Sequence, residues 1–394
     1  MSSRDGTVTP PVIAVVAGEP SGDNLGAPLI EEIRRQSPGT RIVGIGGDRM
    51  IAAGLEPWFD LDELNVNGFI DPIKRLPRLI HILLTLRRRA LDLPADCFVG
   101  VDFNFFNLLL EGLLKRRGVR TVHYVSPTVW AWRRGRIRRI ARSVDLMLCL
   151  YPFETAIYRE HNVGVRFVGH PRASEIKPGA GAAGQGAARE ALGLPVEGPV
   201  VAMLPGSRGS EVGYSGPDFL AAARLIRQDH PDCRFVIPAA RPAREVQLKE
   251  MLRDFGDLDV MLVSGESERV MTAANVVLAN SGTATLEAML LGKPMVMSYR
   301  LGNLTYRLVS SLVKTPYFAL PNILAGKQLV PEFIQDAATP ENLAAAVSGY
   351  LTGTDIESLL VEFDRLHREL ALDSGPEAAA AVLDLASGGQ HVVA

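Results

Sequence analysis

The sequence predicts two tandem doubly wound α/β domains followed by a helical tail. Three observations lead there. Short β-branched runs alternate with helix-like segments along most of the chain. The runs are continuously apolar, as in parallel strands buried on both faces. A Gly/Ala-rich stretch interrupts the series near its middle. The length of 394 residues fits two domains or three.

In chain order, the first series of strands is VIAVVA (12–17), RIVGI (41–45), CFVGVD (97–102), RTVHYV (120–125), DLMLCL (145–150) and VRFVG (165–169). Helical patterns at 25–36, 106–117 and 152–160 lie between them, so the unit is a βαβ series. Residues 176–198, with KPGAGAAGQGAARE at their start, read as a flexible linker ending in a short helix. A second series follows: VVAMLP (200–205), CRFVIPA (233–239), DVMLVS (259–264), NVVLAN (275–280) and PMVMSY (294–299). The expected boundaries are 1–175 for the first domain, 199–350 for the second and 351–394 for the tail. By analogy, the tail is expected to cross back to the first domain.

Composition narrows the class. Hydrophobic residues make up 47% and charged residues 22%, which excludes general disorder. The three cysteines, Cys97, Cys149 and Cys233, are far apart, with no CxxC, so neither a disulfide framework nor a structural zinc site is expected. No run reads as a secretion signal or a membrane span, so a soluble protein able to lie on a membrane is expected. The net charge of −2 hides an asymmetry: residues 1–170 carry 23 Lys+Arg against 18 Asp+Glu, and the remainder 19 against 26. The halves should therefore meet different partners.

In open α/β sheets, ligands bind beyond the carboxyl ends of strands, so the loops after the strands hold the candidates. AGEPSGDNLGA (17–27) offers a tight turn, caps at Ser21 or Asp23, and the carboxylate of Glu19. GIGGD (44–48) gives poor support to a dinucleotide fingerprint. In VGVDFNFFN (99–107), Asp102 is either a helix cap or a general base among phenylalanines. HYVSPTVWAWRRGRIRRIAR (123–142) combines tryptophans with six arginines, suited to phosphate and a membrane interface or to a solvated helix face. No nucleic-acid-binding motif accompanies that basic patch, so nucleic acid is not an expected partner. In GFIDPIKRLPRLIHILLTLRRR (68–89), Leu76, Leu79, Ile80 and Leu83 share a helical face that Ile82, Leu84 and Leu86 widen beyond core needs. Such a helix docks on anionic lipid, holds an acyl chain, or is a core helix with basic ends.

The second domain carries two phosphate-type loops. In LPGSRGSEV (204–212), Gly206, Ser207 and Gly209 let backbone approach a phosphate and Arg208 supplies a guanidinium, without the ending of a P-loop. In NSGTATLE (280–287), Ser281, Gly282 and Thr283 open a helix toward a diphosphate, and Glu287 can accept ribose hydroxyls. Jointly these features suggest a nucleotide-sugar glycosyltransferase with an amphiphilic acceptor.

The chain resembles the bacterial lipid-A-disaccharide synthases over nearly its whole length. The carriers are AGEPSGD (17–23), the GD of 47–48, YVSPTVWAWR (124–133), PFE (152–154), FVGHP (167–171), LPGSRGSEV (204–212), SGTATLE (281–287) and LPNILAG (320–326). The resemblance implies a GT-B fold, two Rossmann-like domains with parallel sheets facing across a cleft. It implies an inverting, metal-independent transferase with no cofactor, using UDP-2,3-diacylglucosamine as donor and 2,3-diacylglucosamine 1-phosphate (lipid X) as acceptor. It further implies a peripheral protein, monomer or homodimer, on the cytoplasmic face of the inner membrane. It matches Asp102 and Arg208 to catalytic positions, Glu287 and Asn322 to the donor side, and Glu19 and Asp23 to the acceptor side; with the loop readings above, Glu19 is the second candidate base and Gly206, Ser207, Arg208, Ser281, Gly282 and Thr283 join the donor set. Glu19, Ser21, Asp23, Asn107, Ser126, Trp130 and Arg133 fall to the acceptor. One departure stands out: the family usually reads GIDAPDFN where this chain has GVDFNFFN (100–107), so a second acid is replaced by Phe105 and Asn104 adds an unfamiliar polar group. Another GT-B enzyme on UDP-N-acetylglucosamine (a lipid-carrier transferase or a 2-epimerase) is the alternative, and a membrane-surface binding protein without turnover is a third reading.

Overall fold

The computed structural model describes residues 10–64, 72–130, 134–302, 306, 315–353 and 356–389. It divides into two units, residues 1–171 with 372–394, and residues 172–371.

Unit 1 is built on seven parallel strands: β1 (Val12–Ala17), β2 (Arg41–Gly46), β3 (Glu56–Asp60), β4 (Cys97–Val101), β5 (Arg120–Tyr124), β6 (Leu146–Cys149) and β7 (Gly164–Phe167). Their order is β3-β2-β1-β4-β5-β6-β7, so the winding reverses between β1 and β4. The connecting helices are α1 (Pro20–Gln36), α2 (Asp48–Ala53), α3 (Pro72–Asp92), α4 (Asn104–Lys115), α5 (Ile137–Ser143) and α6 (Thr155–Arg159). Ile13, Val15, Val99, Val101 and Val122 bury against α1 on one face, while Ala14, Val16, Ile45 and Phe98 bury against α3 and α4 on the other. This two-sided burial is why the strands read as unbroken apolar runs. The edge strand β3, EPWFD, escapes sequence reading because it is partly exposed and contains a proline.

Unit 2 begins within α7 (Pro171–Glu175), and α8 (Ala180–Ala183) and α9 (Gln185–Ala191) follow. The expected flexible linker at 176–198 is thus folded into this unit. The reason is Arg189, a buried residue whose guanidinium donates to Ala273 O at 3.0 Å, Val196 O at 2.7 Å and Asn275 Oδ1 at 2.8 Å. The sheet comprises β8 (Val200–Leu204), β9 (Arg234–Ala239), β10 (Val260–Ser264), β11 (Val276–Asn280), β12 (Met295–Tyr299) and β13 (Glu332–Ile334), in the order β10-β9-β8-β11-β12-β13. Its winding reverses between β8 and β11. The helices are α10 (Gly209–Asp229), α11 (Pro242–Leu252), α12 (Ser267–Ala273), α13 (Thr283–Leu290), α14 (Leu320–Ala325), α15 (Pro340–Leu351) and α16 (Ile356–Leu370).

The C-terminal region is divided between the units. Helix α16 stays in unit 2, where His367 Nε2 lies 2.9 Å from Ala173 O and 2.7 Å from Ile176 O. Helix α17 (Ser374–Ala386) belongs to unit 1, where Ala378, Val382 and Leu385 join the core beneath α1.

Candidate active site

Each sheet places its candidate loops at its own switch point, where the strand order leaves a crevice. In unit 1 these are the loops after β1 and β4. In unit 2 they are the loops after β8 and β11.

After β4 the chain turns sharply. Asp102 and Phe103 both take the left-handed conformation, at φ +50° and +46°. Consecutive non-glycine residues in that region store strain of roughly 1–3 kcal/mol each. The Asp102 N–H is tied to Tyr124 O at 2.8 Å, and its half-buried carboxylate stands at the head of α4. Asn104 Nδ2 donates to Asp102 Oδ1 at 3.3 Å, and the Ser21 hydroxyl lies 3.4 Å from Oδ2. Glu19 is exposed at the start of α1, and its side chain makes no cap hydrogen bond.

Two residues expected at the acceptor bond to the scaffold. Asp23 is buried and accepts from Gly47 N at 2.8 Å and Met50 N at 3.0 Å, so it caps α2 rather than facing outward. Asn107 is fully buried, and its amide donates to Asp102 O at 2.9 Å and Val16 O at 3.1 Å, strapping the β1 and β4 loops together. Ser126 is buried against the Tyr158 hydroxyl at 2.8 Å, and the ring of the half-buried Trp130 stands edge-on to Phe153 at 4.9 Å. Nearby Glu154 is buried and accepts from Tyr151 N; burial pushes its carboxyl up to about 8. Arg133 lies outside the described residues.

In unit 2 the predicted donor residues converge. A cavity of about 590 Å³ is lined by Gly206, Ser207, Arg208, Gly282, Thr283 and Glu287 among others. Its size falls within the ~300–1,000 Å³ of small-molecule sites. Gly206 and Gly282, at φ +132° and +148°, adopt backbone conformations that side chains rarely allow. Thr283 starts α13, whose N-terminal N–H groups favour an anion, with Thr285 N already bonded to Gly282 O at 3.1 Å. Arg208 is largely exposed, with Nη1 3.1 Å from Glu211 Oε1. Glu287, one turn into α13, lies 3.5 Å from Arg172 Nε; burial raises its carboxyl, and Arg172 opposes the rise.

Some backbone donors expected for phosphate are already engaged. Glu211 Oε2 accepts from Ser207 N at 3.0 Å and Arg208 N at 3.1 Å, and Ser281 N donates to Ser298 O at 3.0 Å. The acid three residues into α10 was the legible sign of that first arrangement. Asn322 is likewise engaged with protein partners. It is fully buried, donating to Glu332 Oε1 at 2.7 Å and Val330 O at 2.9 Å and accepting from Leu329 N and Val330 N. The segment Gly265–Ser267, which also lines the cavity, carries no sequence signal beyond its place after β10.

Residues 13–372 match the lipid-A-disaccharide synthetase (LpxB) family. The chain is 49% identical over 375 residues to the lipid-A-disaccharide synthase of Cellvibrio japonicus, covering 95% of this chain and 97% of that one. It is 48% identical over 374 residues to that of Pseudomonas aeruginosa strain UCBPP-PA14, with the same coverage. Among solved structures, it resembles a UDP-GlcNAc 2-epimerase from Neisseria meningitidis bound to UDP-GlcNAc (TM-score 0.59, 12% identity, 95% of this chain and 98% of that one). It also resembles a transferase from Siraitia grosvenorii in complex with UDP (TM-score 0.61, 11% identity, 95% and 99%). These last likenesses concern the GT-B type of fold alone, so the epimerase alternative is not favoured over relatives of nearly half-identical sequence. The chain belongs to the lipid-A-disaccharide synthetase family, glycosyltransferases of lipid A biosynthesis.

Proposed function

We propose that the protein transfers 2,3-diacylglucosamine from UDP-2,3-diacylglucosamine to the 6-hydroxyl of lipid X. The products are a β(1→6)-linked tetraacyl disaccharide 1-phosphate and UDP. The observation that carries this reading is the convergence of Arg208, the α13 N-terminus and Glu287 on one cavity of unit 2. A nucleoside diphosphate needs such a set: positive charge and N–H groups for the phosphates, and a carboxylate for ribose hydroxyls. The relatives are named lipid-A-disaccharide synthases, which supports a sugar-transfer reaction that builds a lipid A disaccharide.

In this mechanism Asp102 of unit 1 takes the proton from the acceptor hydroxyl, with Glu19 as the second candidate. The oxygen attacks C1 of the donor sugar as the C1–O bond to UDP breaks. A single displacement inverts that centre. Arg208 and the α13 N-terminus stabilise the departing pyrophosphate, so the reaction runs without a metal. Asn322, Asp23 and Asn107 act indirectly by holding loops. Ser21, Ser126, Trp130 and Arg133 are assigned to the acceptor side.

No helix among the described residues is long and apolar enough to cross a membrane. Peripheral docking at the inner face of the inner membrane is part of the proposal. It is supported by Leu76, Ile80 and Leu84, which form an outward stripe on α3 at 52%, 49% and 52% exposure.

Mass spectrometry of the product from UDP-2,3-diacylglucosamine and lipid X tests the reaction; absence of the tetraacyl disaccharide would refute it. Asp102→Ala should lower turnover ~10²–10⁴-fold while sparing UDP binding. Arg208→Ala should damage both donor affinity and turnover. Chelator should leave the rate unchanged; a rate restored only by added divalent cation would overturn metal independence.

A further inference from the structure

The core of unit 1 contains a polar chain that the mechanism above does not use. Glu111 on α4 and His123 on β5 are both fully buried. Their Oε1 and Nδ1 atoms are 2.7 Å apart. His123 Nε2 lies 3.1 Å from Asn104 Oδ1, and the other end of that amide, Nδ2, donates to Asp102 Oδ1. The chain therefore runs without a gap from the interior to the carboxylate of the loop.

The scaffold makes specific room for it. His123 pairs with Gly100 across β5 and β4, so both positions face α4. A Cβ at Gly100 would stand 2.3 Å from Glu111 Oε1. Asn104 and Glu111 are seven residues apart, hence on one face of α4. Stability alone does not call for the arrangement, because well-packed apolar residues often hold a core as well as a buried polar pair. Glu111 Oε2 has no hydrogen-bond partner among the described residues.

The polarity of the chain is set at its outer end. The Asp102 carboxylate can only accept, so Asn104 must turn its N–H₂ toward it and its carbonyl toward His123. His123 must then present Nε2–H. That holds whether the proton shared with Glu111 sits on Nδ1 or on the carboxyl. Turning the Asn104 amide over would set two oxygens against each other.

We propose that Glu111, His123 and Asn104 are positioning residues that fix the orientation of the Asp102 carboxylate toward the acceptor hydroxyl. This rests on the reading of Asp102 as the general base. It also gives a role to Asn104, one of the positions at which this chain departs from the family pattern.

The experiment is steady-state kinetics of the full-length protein with UDP-2,3-diacylglucosamine and lipid X, with UDP affinity and thermal unfolding measured on each variant. Asn104→Ala lies at the half-buried start of α4 and should fold. It should lower kcat about tenfold or more, as expected for one lost charge-assisted hydrogen bond, with UDP affinity and KM for the donor unchanged. His123→Gln places an amide N near the position of Nε2 and should retain most of kcat. His123→Asn keeps only the Nδ1 position and should lose as much as Asn104→Ala. Combining His123→Asn with Asn104→Ala should cost nothing beyond Asn104→Ala alone, because His123 acts through Asn104. Normal kcat in folded Asn104→Ala overturns the proposal, as do fully additive losses in the double variant. Should His123→Asn fail to fold, Asn104→Ala decides alone. Asp102→Asn separates the two layers. Full activity there removes the base assignment itself, whereas lost activity with a normal Asn104→Ala removes only the positioning chain.

Discussion

The turn at Asp102 and Phe103 illustrates how a single residue acquires a role. An aspartate tolerates the left-handed region because its short side chain can bond locally, whereas a phenylalanine there must be held by its surroundings. Phe103 is held by packing on Phe106, with ring centroids 5.7 Å apart. Elsewhere in unit 1, Glu154 shows the opposite case, a carboxyl whose environment favours its neutral form. Its folded-state value of about 8 lies above the ordinary 4.5, so the folded protein holds a proton that the unfolded chain releases. Stability therefore falls as pH rises through the window from 4.5 to about 8, by up to ~1.4 kcal/mol per pH unit, and is flat above it. Glu154→Gln keeps the acceptor for Tyr151 N and removes the titration. Relative to the parent, its melting temperature should rise at pH 8, with the gap closing toward pH 5. An equal shift at both values would exclude this origin.

At the scale of elements, α3 carries apolar surface beyond what its packing consumes. Ile82, Leu83 and Leu86 fill the core, yet Leu76, Ile80 and Leu84 repeat at i, i+4 and i+8 on the outer side. A soluble core helix needs only the first set. Replacing the outer three with serine should reduce co-sedimentation with anionic vesicles several-fold while leaving the melting temperature within a few degrees. Unchanged vesicle binding would show that this stripe is not the docking face. Phe105, in the first turn of α4, is a further exposed apolar side chain, at 75%.

For the whole molecule, the C-terminal helix is the long-range element that completes a unit begun some 360 residues earlier. Val382 and Leu385 are buried in the core that also contains β1 and β4, and Arg120 Nη1 donates to Ala386 O at 2.8 Å. Each such apolar side chain contributes ~1.5–3 kcal/mol. Deleting residues from Ser374 onward should therefore destabilise unit 1 selectively. Hydrogen exchange should reveal lost protection in β1, β4 and β5, while β8, β9 and β11 keep theirs. Uniform loss across both sheets would contradict that division.

Fold class was legible in the sequence because parallel strands buried on two faces write themselves as local apolar runs, and chemistry-bearing loops must follow such strands. The same rule puts Asp102, Arg208 and Ser281 in the loops that follow strands. Local pattern did not reveal which polar groups are already engaged. Asp23 caps a helix 25 residues away, Asn107 straps two strands, Asn322 holds a loop, and Gly100 makes space for Glu111 to reach His123. Those outcomes depend on distances between segments far apart in the chain, and hydrogen bonds are made in space rather than along the sequence. Residue types and strand ends are therefore properties of the sequence, whereas a polar side chain becomes a cap or a strap only when packing sets its partners.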